Sequence, residues 1–463
     1  MQLFRLLKLA FLFSVIILIN GCGDRDEDKT IVDNSLVKNY DSEASLAWND
    51  VYLQVERYAT GYRPCPAPRS LAYMGLATYE ACVTGMPDNN SMASLYPGLS
   101  VPKVESGKQY HWPTVVNAVY GLMMPRFFST ATEDLQLKMT SVENTLNAKY
   151  QGQVDADVYL RSQEYGKQVG EAFSEWEKTD IVGHDAYKDP WGNYNWEAAY
   201  DGVPGRWQPT TPGPGKPMYP YWGDVRTFVI TKGERLCKPP IPYSEDSKSA
   251  FYAQAIEVYN NSNPAQTYEL KWIGEFWSDD LVDLTFSPGP RWIAIASQAI
   301  INEKASLDIA LECYAKTGMA LSDAVVACWY SKYYWNIERP DNYIRRLIDN
   351  NWTSTLDNPI TGDKGFTPPF PAYPSGHSMM GGAGAVAIES IFGSNYEMTD
   401  ICHQGRTDFI GTPRTFESIG DMATENAISR IWLGVHFRMD SEAGLDFGRT
   451  IGRKVTKLNW KKR

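Results

Sequence analysis

Apolar and polar residues alternate along most of the chain with a period close to 3.6, the repeat of an α-helix that buries one face. In the first half this pattern predicts helices over residues 43–58, 69–84, 114–127, 131–150 and 155–178. A second helical stretch runs from 245 to 335, and further helices are expected over 375–391, 417–432 and 439–457. The sequence has no run of alternating strands joined by hairpin turns, so it predicts a mostly α protein with two helical bundles.

Residues 181–229 interrupt this pattern with a segment rich in Pro, Gly, Trp and Tyr. The segment is too long for an ordinary connection and too aromatic for a flexible linker. We therefore expect a crossing that packs on the surface of the helices; a mobile linker between domains is the alternative. A second Pro- and Gly-rich loop covers 358–374. The expected division is an N-terminal helical region that includes the crossing, 43–230, and a C-terminal helical domain, 231–463.

The first 22 residues are typical of a targeting segment. Arg5 and Lys8 precede an apolar run over 9–19, which is short for a membrane span and has the length of a signal-peptide core. The run ends in Gly21-Cys22, which resembles the cleavage site of bacterial lipoproteins, where the cysteine becomes acylated. A plain anchor helix with a chance cysteine is the alternative.

The lipoprotein interpretation predicts a signal peptide over 1–21, lipidation of Cys22 and an acidic tether over 22–42. The acidic run at 23–29 is typical either of an export signal of surface lipoproteins or of a solvated linker. We expect an exported bacterial lipoprotein that is membrane-anchored by its lipid alone, in the periplasm or at the cell surface.

The chain has 463 residues and a formal net charge of −11, from 44 basic and 55 acidic side chains. A hydrophobic content of 43% excludes an intrinsically disordered protein. The acidic balance argues against nucleic acid as a partner, because nucleic-acid binders usually carry a basic face. Besides Cys22 there are six cysteines, an even number that permits disulfides in an exported protein, and none lies at the spacing of a zinc site.

Three short segments in the last third of the chain combine cations, histidines and a helix start. The first runs from Lys332 to Arg339-Pro340. At a spacing of seven, Lys332 and Arg339 are expected two turns apart on one helical face, where both can reach one anion, and Pro340 is expected to end that helix. The planar fork of an arginine suits two-point contact with an oxyanion.

The second segment is Pro374-Ser375-Gly376-His377, at the start of the helix predicted over 375–391. A helix N-terminus offers free N–H groups and the positive end of the helix dipole to an anion. Glycine lets an anion approach the backbone closely. His377 beside that anion can move a proton near neutral pH.

The third segment, from Ser429 to Asp440, adds Arg430 as a third cation and His436 six residues later. Asp440 is four residues beyond His436, a spacing at which a carboxylate can orient the imidazole. Each piece alone has an ordinary interpretation: a solvated face, a helix cap or a structural histidine. Their joint occurrence in this order favours a buried oxyanion site.

These segments resemble, without a substitution, the signatures of the superfamily that joins the type 2 phosphatidic acid phosphatases (PAP2) to the vanadium-dependent haloperoxidases. Residues 63–82, 275–280 and 286–290 are also similar to parts of its soluble bacterial haloperoxidase-like branch. The resemblance implies helical bundles around a bound oxyanion, which is vanadate in the haloperoxidases and phosphate in the phosphatases.

The resemblance also implies a role for each residue. The oxyanion oxygens would be bound by Lys332, Arg339, Ser375, Gly376 and Arg430. His436 would be the ligand to vanadium, or the nucleophile of a phosphatase, and His377 would be the acid–base group. Asp279 or Asp280 would pair with an arginine. Asp280 and Asp440 are the acids expected to contact the anion-binding residues without touching the anion itself.

Three features favour the haloperoxidase branch. Membrane phosphatases of the superfamily embed the motif in several transmembrane helices, which this sequence lacks after signal cleavage. The length of the mature chain resembles that of the large soluble haloperoxidases. Trp329 and Phe370 resemble the aromatic pair beside the halide site of fungal chloroperoxidases, and ordinary core aromatics are the alternative for them.

The resemblance therefore implies an enzyme that uses vanadate and hydrogen peroxide to oxidise halide to a hypohalous-acid-like species, which halogenates a small organic acceptor. Lys332 would stabilise negative charge on a peroxide oxygen. One alternative is an exported acid phosphatase that forms a phosphohistidine on His436. Another is a surface lipoprotein that binds an oxyanion without turnover, in which His377 would be idle. The sequence does not determine the oligomeric state, and a dimer is among the alternatives.

Overall fold

The structure is a computed structural model that describes residues 35–210 and 215–462. The predicted signal peptide over 1–21, Cys22 and most of the acidic tether lie outside the described residues.

The described chain is mostly α-helical, which confirms the predicted fold class. Two short antiparallel strands, β1 (Met398–Asp400) and β2 (Arg414–Phe416), are the only strands among the described residues, and they pair Met398 with Phe416. The α-helices are α1 (Glu43–Glu56), α2 (Pro66–Cys82), α3 (Trp112–Phe127), α4 (Glu133–Gln151), α5 (Ala156–Lys178), α6 (Ile181–His184), α7 (Trp196–Tyr200), α8 (Ala250–Asn261), α9 (Tyr268–Phe276), α10 (Pro288–Asn302), α11 (Leu307–Trp335), α12 (Pro340–Leu347), α13 (Gly376–Phe392), α14 (Ile419–Trp432) and α15 (Arg438–Thr456).

The long helix α11 lies between two groups of helices. It is buried along most of its length and packs against α2 on one side and α13 on another. Helices α1 to α5 pack around α2 and α3, while α13, α14 and α15 form the second group. Because α11 belongs to both groups, its C-terminal end is held rigidly where the second group begins.

Small residues let α13 and α15 approach each other closely. A Cβ atom added at Gly448 would overlap the carbonyl oxygen of Met379, and one at Gly382 would overlap that of Leu445. The two helices therefore pack backbone against backbone, which only glycine permits at these positions. This contact fixes the start of α13, where His377 lies.

Lys332 and Arg339 do not share a helix, so the prediction that they lie on one helical face is wrong. Helix α11 ends at Trp335 because Asn336 is left-handed (φ 50°), with its N–H still donating to the Lys332 carbonyl at 2.9 Å. Asparagine tolerates this conformation better than most residues. Arg339 caps α12 and Pro340 opens that helix instead of ending one, because a fixed φ and a missing N–H suit the first helical position.

The described part of the crossing segment, 181–210 and 215–229, packs against the helices. Trp207, Tyr219 and Trp222 are buried. At its end the carboxylate of Asp323, on α11, accepts three backbone N–H groups from 228–230 at 2.7–3.1 Å. The crossing is thereby fixed to the helix that carries Lys332.

The six described cysteines are free thiols, so no disulfide occurs within the described residues. Five of these thiols are buried, and Cys402 is partly exposed. None of the described helices combines the length and the apolar character needed to cross a bilayer.

Candidate active site

Four segments of the C-terminal half meet at one buried point: the end of α11, the start of α12, the start of α13, and the turn from α14 to α15. They bring together the seven residues Lys332, Arg339, Ser375, Gly376, His377, Arg430 and His436. The two histidines are 6% and 2% exposed and the other five are fully or almost fully buried. A cavity of about 400 Å³ opens onto this point and is lined by Gly376, His377, Arg430 and His436.

His436 is oriented by a carboxylate on one side and an arginine on the other. Its Nδ1 lies 3.0 Å from Asp440 Oδ2, which also accepts the backbone N–H of Phe437 at 3.0 Å. Its Nε2 lies 3.0 Å from Arg339 Nη1. The carboxylate accepts the Nδ1 proton and the guanidinium donates to Nε2, so the imidazole carries a lone pair on Nε2.

Burial and the nearby cations Arg339 and Lys332 hold the pKa of His436 well below its usual value. Protonation would place a fourth positive charge among buried cations, which is costly. The ring is therefore neutral at neutral pH. A neutral imidazole whose Nε2 lone pair accepts only the hydrogen bond from Arg339 can act as a ligand or as a nucleophile when that hydrogen bond is exchanged.

His377 is also neutral, but its proton lies on the other nitrogen. Its Nε2 donates to the carbonyl oxygen of Ser278 at 3.0 Å, and Asp280 Oδ1 is 3.9 Å away. Burial and the charge of Arg430 lower its pKa well below the usual value. Its free lone pair is thus on Nδ1, which can accept a proton.

The three cations are held mainly by backbone carbonyls and keep spare donors. Lys332 Nζ donates to the Pro371 and Ala372 carbonyls, both at 2.8 Å, and burial lowers its pKa to about 7. Arg339 Nη2 and Arg430 Nε are buried and have no hydrogen-bond partner among the described residues. A buried donor without a partner costs about 1–3 kcal/mol, so both arginines would gain from an anion with several oxygens.

The donor set therefore fits a tetrahedral oxyanion such as vanadate or phosphate. Three cations face two acids, Asp280 and Asp440, and burial raises the pKa of Asp440 to about 7. With Lys332 protonated, at least one positive charge is left uncompensated. Gly376 begins α13, whose first N–H groups point toward the same place.

An aromatic pair closes one wall of the cavity. Trp329 and Phe370 have ring centroids 4.8 Å apart. The Phe370 centroid is 5.2 Å from Lys332 Nζ and 5.0 Å from Arg339 Cζ, so the ring face stabilises both cations. A Cβ at Gly376 would lie 3.3 Å from the Trp329 ring, so glycine leaves room for the indole.

Comparison with known proteins points to one family. The model of the VCPO second helical-bundle domain matches residues 312–461. The vanadium chloroperoxidase of Curvularia inaequalis is 27% identical over 286 residues, 49% of this chain and 46% of that protein. A crystal structure described as the first bacterial vanadium-dependent iodoperoxidase has a TM-score of 0.78 at 28% identity, covering 91% of this chain and 97% of that one. These likenesses support the vanadium haloperoxidase/PAP2 superfamily as the family of this chain.

Further relatives of this superfamily agree. The vanadium-dependent bromoperoxidase of Ascophyllum nodosum is 33% identical over 96 residues, 18% of this chain and 17% of that protein. A holo-type bacterial vanadium-dependent chloroperoxidase shares the fold with a TM-score of 0.65 at 15% identity, covering 86% of this chain and 92% of that one. The match to the Curvularia protein spans a little under half of that protein's length.

The two candidate acids separate in the structure. Asp280 Oδ2 accepts a hydrogen bond from Arg430 Nη2 at 2.6 Å. Asp279 instead faces Arg291, 3.6 Å away, and His403, 3.6 Å away, in a second buried cluster. Both acids pair with an arginine, and Asp280 is the one whose arginine, Arg430, lies at the oxyanion site described above.

Sequence reasoning missed two features of the site. The carbonyl of Ser278 accepts from His377 and, at 3.3 Å, from Arg430. A backbone carbonyl leaves no trace in residue identity, so no sequence pattern could have identified it. Arg63 also lines the cavity and donates to the carbonyl of Asp279 at 3.1 Å; its place in the 63–82 segment was the available signal.

Proposed function

We propose that the protein is a vanadate-dependent haloperoxidase that uses hydrogen peroxide to oxidise halide to a hypohalous-acid-like halogenating species. The observation that carries the proposal is the neutral Nε2 of His436 among three buried cations, two of which keep unpartnered N–H donors. Halide oxidation in the relatives named above supports the same assignment.

In this proposal the oxyanion is vanadate. It would be held by Lys332, Arg339, Ser375, Gly376 and Arg430, with His436 as its ligand. Bound vanadate would supply a Lewis-acidic centre at which hydrogen peroxide becomes reactive toward halide. Asp440 keeps the proton of His436 on Nδ1, so that the Nε2 lone pair stays available.

His377 moves the proton. Its Nε2–H is held by the Ser278 carbonyl, so Nδ1 is the atom that accepts a proton from hydrogen peroxide. The same nitrogen returns that proton to the oxygen that leaves.

Lys332 and the aromatic pair prepare the place for halide. The ammonium lies 5.8 Å from the Trp329 centroid and 5.2 Å from that of Phe370. Such a wall excludes water from a large, weakly hydrated anion while the cation attracts it. We assign Trp329 and Phe370 to the halide pocket on this basis.

A PAP2-type acid phosphatase is the second candidate, favoured by the same neutral Nε2. In that case His436 would attack phosphorus to form a phosphohistidine, and His377 would protonate the leaving alcohol. Phosphate and vanadate share charge and tetrahedral shape, so the donor set accepts either one.

A paired assay tests the function. The purified protein and a His436→Ala variant are loaded with vanadate, dialysed and analysed for vanadium. They are then given hydrogen peroxide with chloride, bromide or iodide, and halogenation of a dye is followed. We expect vanadate-dependent halogenation by the parent protein alone, and loss of vanadium from the variant.

The same preparations without vanadate are tested on a chromogenic phosphate ester. Ester hydrolysis that vanadate inhibits, with no halogenation, would replace the haloperoxidase by the phosphatase. Retention of vanadium by His436→Ala at the parent level would overturn the ligand assignment.

We also propose that the protein is an exported lipoprotein, membrane-anchored through Cys22. The support is the basic, apolar and Gly-Cys order of residues 5–22. Expression of the full chain with a labelled fatty acid should label the parent protein and leave a Cys22→Ser variant unlabelled. Equal labelling would contradict the anchor.

A further inference from the structure

Three consecutive residues between α9 and α10 face two different buried groups. The carbonyl of Ser278 accepts hydrogen bonds from His377 Nε2 at 3.0 Å and from Arg430 Nη1 at 3.3 Å. The carboxylate of Asp280 accepts a hydrogen bond from Arg430 Nη2 at 2.6 Å. The side chain of Asp279, between these two residues, contacts the second buried cluster instead. Asp279 therefore connects that cluster to the groups that hold His377.

The backbone of Asp279 is left-handed, with a φ of 40°. Residues other than glycine rarely adopt this conformation, and Asp and Asn tolerate it better than most. Rotation about this N–Cα bond sets the direction of the preceding peptide group, which carries the Ser278 carbonyl. With an ordinary negative φ and the rest of the segment in place, that carbonyl would turn away from His377. The hydrogen bond to His377 thus depends on an unfavourable backbone conformation that the surrounding structure has to maintain.

Contacts on the far side of the segment hold Asp279 in this conformation. Its carboxylate oxygens lie 3.6 Å from Arg291 Nη1 and 3.6 Å from His403 Nε2, and all three side chains are buried. Its carbonyl accepts a hydrogen bond from Arg63 Nη2 at 3.1 Å. Arg291 is fixed in turn by Asp400, at 2.7 Å. The side chain and the carbonyl of Asp279 are both held, so its φ is fixed from two directions.

We propose that Asp279 is a positioning residue for His377. Its left-handed backbone keeps the Ser278 carbonyl aimed at Nε2 of the ring, so the ring proton stays on Nε2 and Nδ1 stays free to accept a proton. Without this acceptor a neutral imidazole carries its proton on either nitrogen, and the fraction with the proton on Nδ1 cannot act as a base there. The consequence for turnover rests on the haloperoxidase function proposed above.

Three substitutions separate the backbone of Asp279 from its charge. Asp279→Ala removes the carboxylate and disfavours the left-handed conformation, whereas Asp279→Gly removes the carboxylate and permits that conformation. Asp279→Asn tolerates the conformation and keeps an oxygen for Arg291. Because Asp400 remains, Arg291 keeps a counter-ion in all three variants. We expect the effect on His377 to be largest in the Ala variant, smaller in the Gly variant and smallest in the Asn variant.

The first measurement is nitrogen NMR of vanadate-free protein that carries isotope-labelled histidine, with the signals of His377 assigned by their absence in His377→Gln. The shift of each ring nitrogen reports whether that nitrogen carries a proton. The parent and Asp279→Asn should show His377 protonated on Nε2, and Asp279→Ala should show both tautomers. Asp283→Ala is the matched control and should keep the parent spectrum. Asp283 is left-handed in the same loop, at φ 66°, but it is exposed and its carbonyl accepts from Arg57.

The second measurement is turnover of vanadate-loaded protein with bromide and hydrogen peroxide. Asp279→Ala should lower kcat about 10- to 100-fold, as expected when a proton-accepting group is misplaced. Its vanadium content after dialysis should stay within about twofold of the parent value, because Asp279 does not contact the residues that would bind the oxyanion. Asp279→Asn should restore kcat to within about threefold of the parent, and Asp283→Ala should keep the parent value. Asp279→Gly replaces the Ala variant if the latter does not fold.

The outcomes separate this proposal from the proposed function. A single Nε2–H tautomer of His377 in Asp279→Ala would leave Asp279 with a structural role alone and overturn the proposal. A kcat that falls equally in Asp279→Ala and Asp279→Asn would also overturn it, because the charge and not the backbone would then matter. Failure of the parent protein to oxidise bromide would overturn the proposed function, and the NMR comparison, which needs no vanadate, would still decide the role of Asp279.

Discussion

Two acids that are neighbours in sequence, Asp279 and Asp280, lead into two different buried clusters. Asp280 belongs to what we call the site cluster, which consists of Lys332, Arg339, Arg430, Asp280, Asp440, His377 and His436. Asp279 belongs to what we call the anchor cluster, which consists of Arg291, Asp279, Asp400 and His403. Both clusters bury arginine, aspartate and histidine, so residue composition alone does not distinguish them.

The clusters differ in the sign of their surplus charge. The anchor cluster has one cation for two carboxylates. Arg291 Nη2 donates to Asp400 at 2.7 Å, and the guanidinium lies 4.5 Å from the Trp277 ring centroid. Burial raises the pKa of Asp400, but the charge of Arg291 and the hydrogen bonds from Cys402 and Gln298 together outweigh burial, and the pKa is lowered. Arg291 Nε and Asp279 Oδ1 have no hydrogen-bond partner among the described residues, but the surplus charge here is negative, so this cluster does not attract an anion.

The site cluster has three cations for two carboxylates and faces a cavity. Arg339 and Arg430 each keep a buried N–H that no described residue accepts. Burial raises the pKa of Asp280, although Arg430 opposes this effect. Surplus positive charge and spare N–H donors beside a cavity favour binding of an anion, which would compensate both.

The largest expected effect comes from breaking the anchor cluster. Arg291→Met leaves Asp279 and Asp400 buried without their cation, which should lower the free energy of unfolding by about 3–5 kcal/mol. Urea unfolding measures this change. Arg126→Met, which removes an exposed arginine paired with Glu171, is the control and should cost less than about 1 kcal/mol. Equal losses for both variants would contradict the role of the anchor cluster.

Breaking the site cluster should reduce anion affinity strongly and stability only slightly. Arg430→Met removes one of three cations that repel one another, and this relief partly offsets the loss of the ion pair with Asp280. The free energy of unfolding should therefore change much less than in Arg291→Met. Oxyanion affinity should fall about 100-fold or more, in line with the 2–5 kcal/mol typical of a buried charged contact. Calorimetry with molybdate measures the affinity. A stability loss as large as that of Arg291→Met, with affinity retained, would reverse the assignment of the two clusters.

A smaller effect is expected at the carboxylate that orients His436. Asp440→Asn keeps an oxygen for the Phe437 N–H but weakens the contact with His436 Nδ1. Loss of such a supporting contact typically lowers metal affinity about 10- to 100-fold, and retained vanadium after dialysis measures it. Asp446→Asn, an exposed position on the same helix, is the control. Equal vanadium content in all three proteins would show that Asp440 does not support the ligand.

The sequence predicted the fold class and most helices because helical periodicity survives wherever one face is buried. The start of α13 is an example: Ser375 caps the helix and Gly376 opens it, as expected from the Ser-Gly-His order. The spacing of Lys332 and Arg339 led to a wrong prediction because two residues seven apart can lie on one helix or on two consecutive helices. Asn336 decides between them through its left-handed conformation, which tertiary contacts select and a periodic pattern does not reveal.

Other parts of the site depend on contacts between segments far apart in the chain. The sequence does not decide which of Asp279 and Asp280 pairs with an arginine of the site, because the two are adjacent and either can pair with arginine. The structure separates them through Arg291, which sequence reasoning had no cause to single out. The contact of the Ser278 carbonyl with His377 likewise arises only when distant segments meet.

The smallest expected effect is a dependence of anion affinity on pH. Burial lowers the pKa of Lys332 to about 7 in the free site, where Cys328, Arg339, Asp440 and Cys65 also act on it. A bound anion favours the ammonium form and raises this pKa, so binding above pH 7 takes up a proton. Affinity should therefore be constant below about pH 7 and fall by up to about tenfold per pH unit above it, as linkage requires.

Molybdate suits this measurement because its own charge stays constant around neutral pH, so that protons taken up on binding come to the protein. Calorimetry in buffers of different ionisation enthalpy should show about one proton taken up near pH 8. Lys332→Gln should bind more weakly and reduce both the slope and the proton uptake, with Asp440, whose pKa is raised to about 7, accounting for what remains, whereas Lys149→Gln at an exposed position should keep both at the parent level. A slope in Lys332→Gln as steep as that of the parent would place the titrating group elsewhere in the site cluster and show that the pH dependence does not come from this lysine.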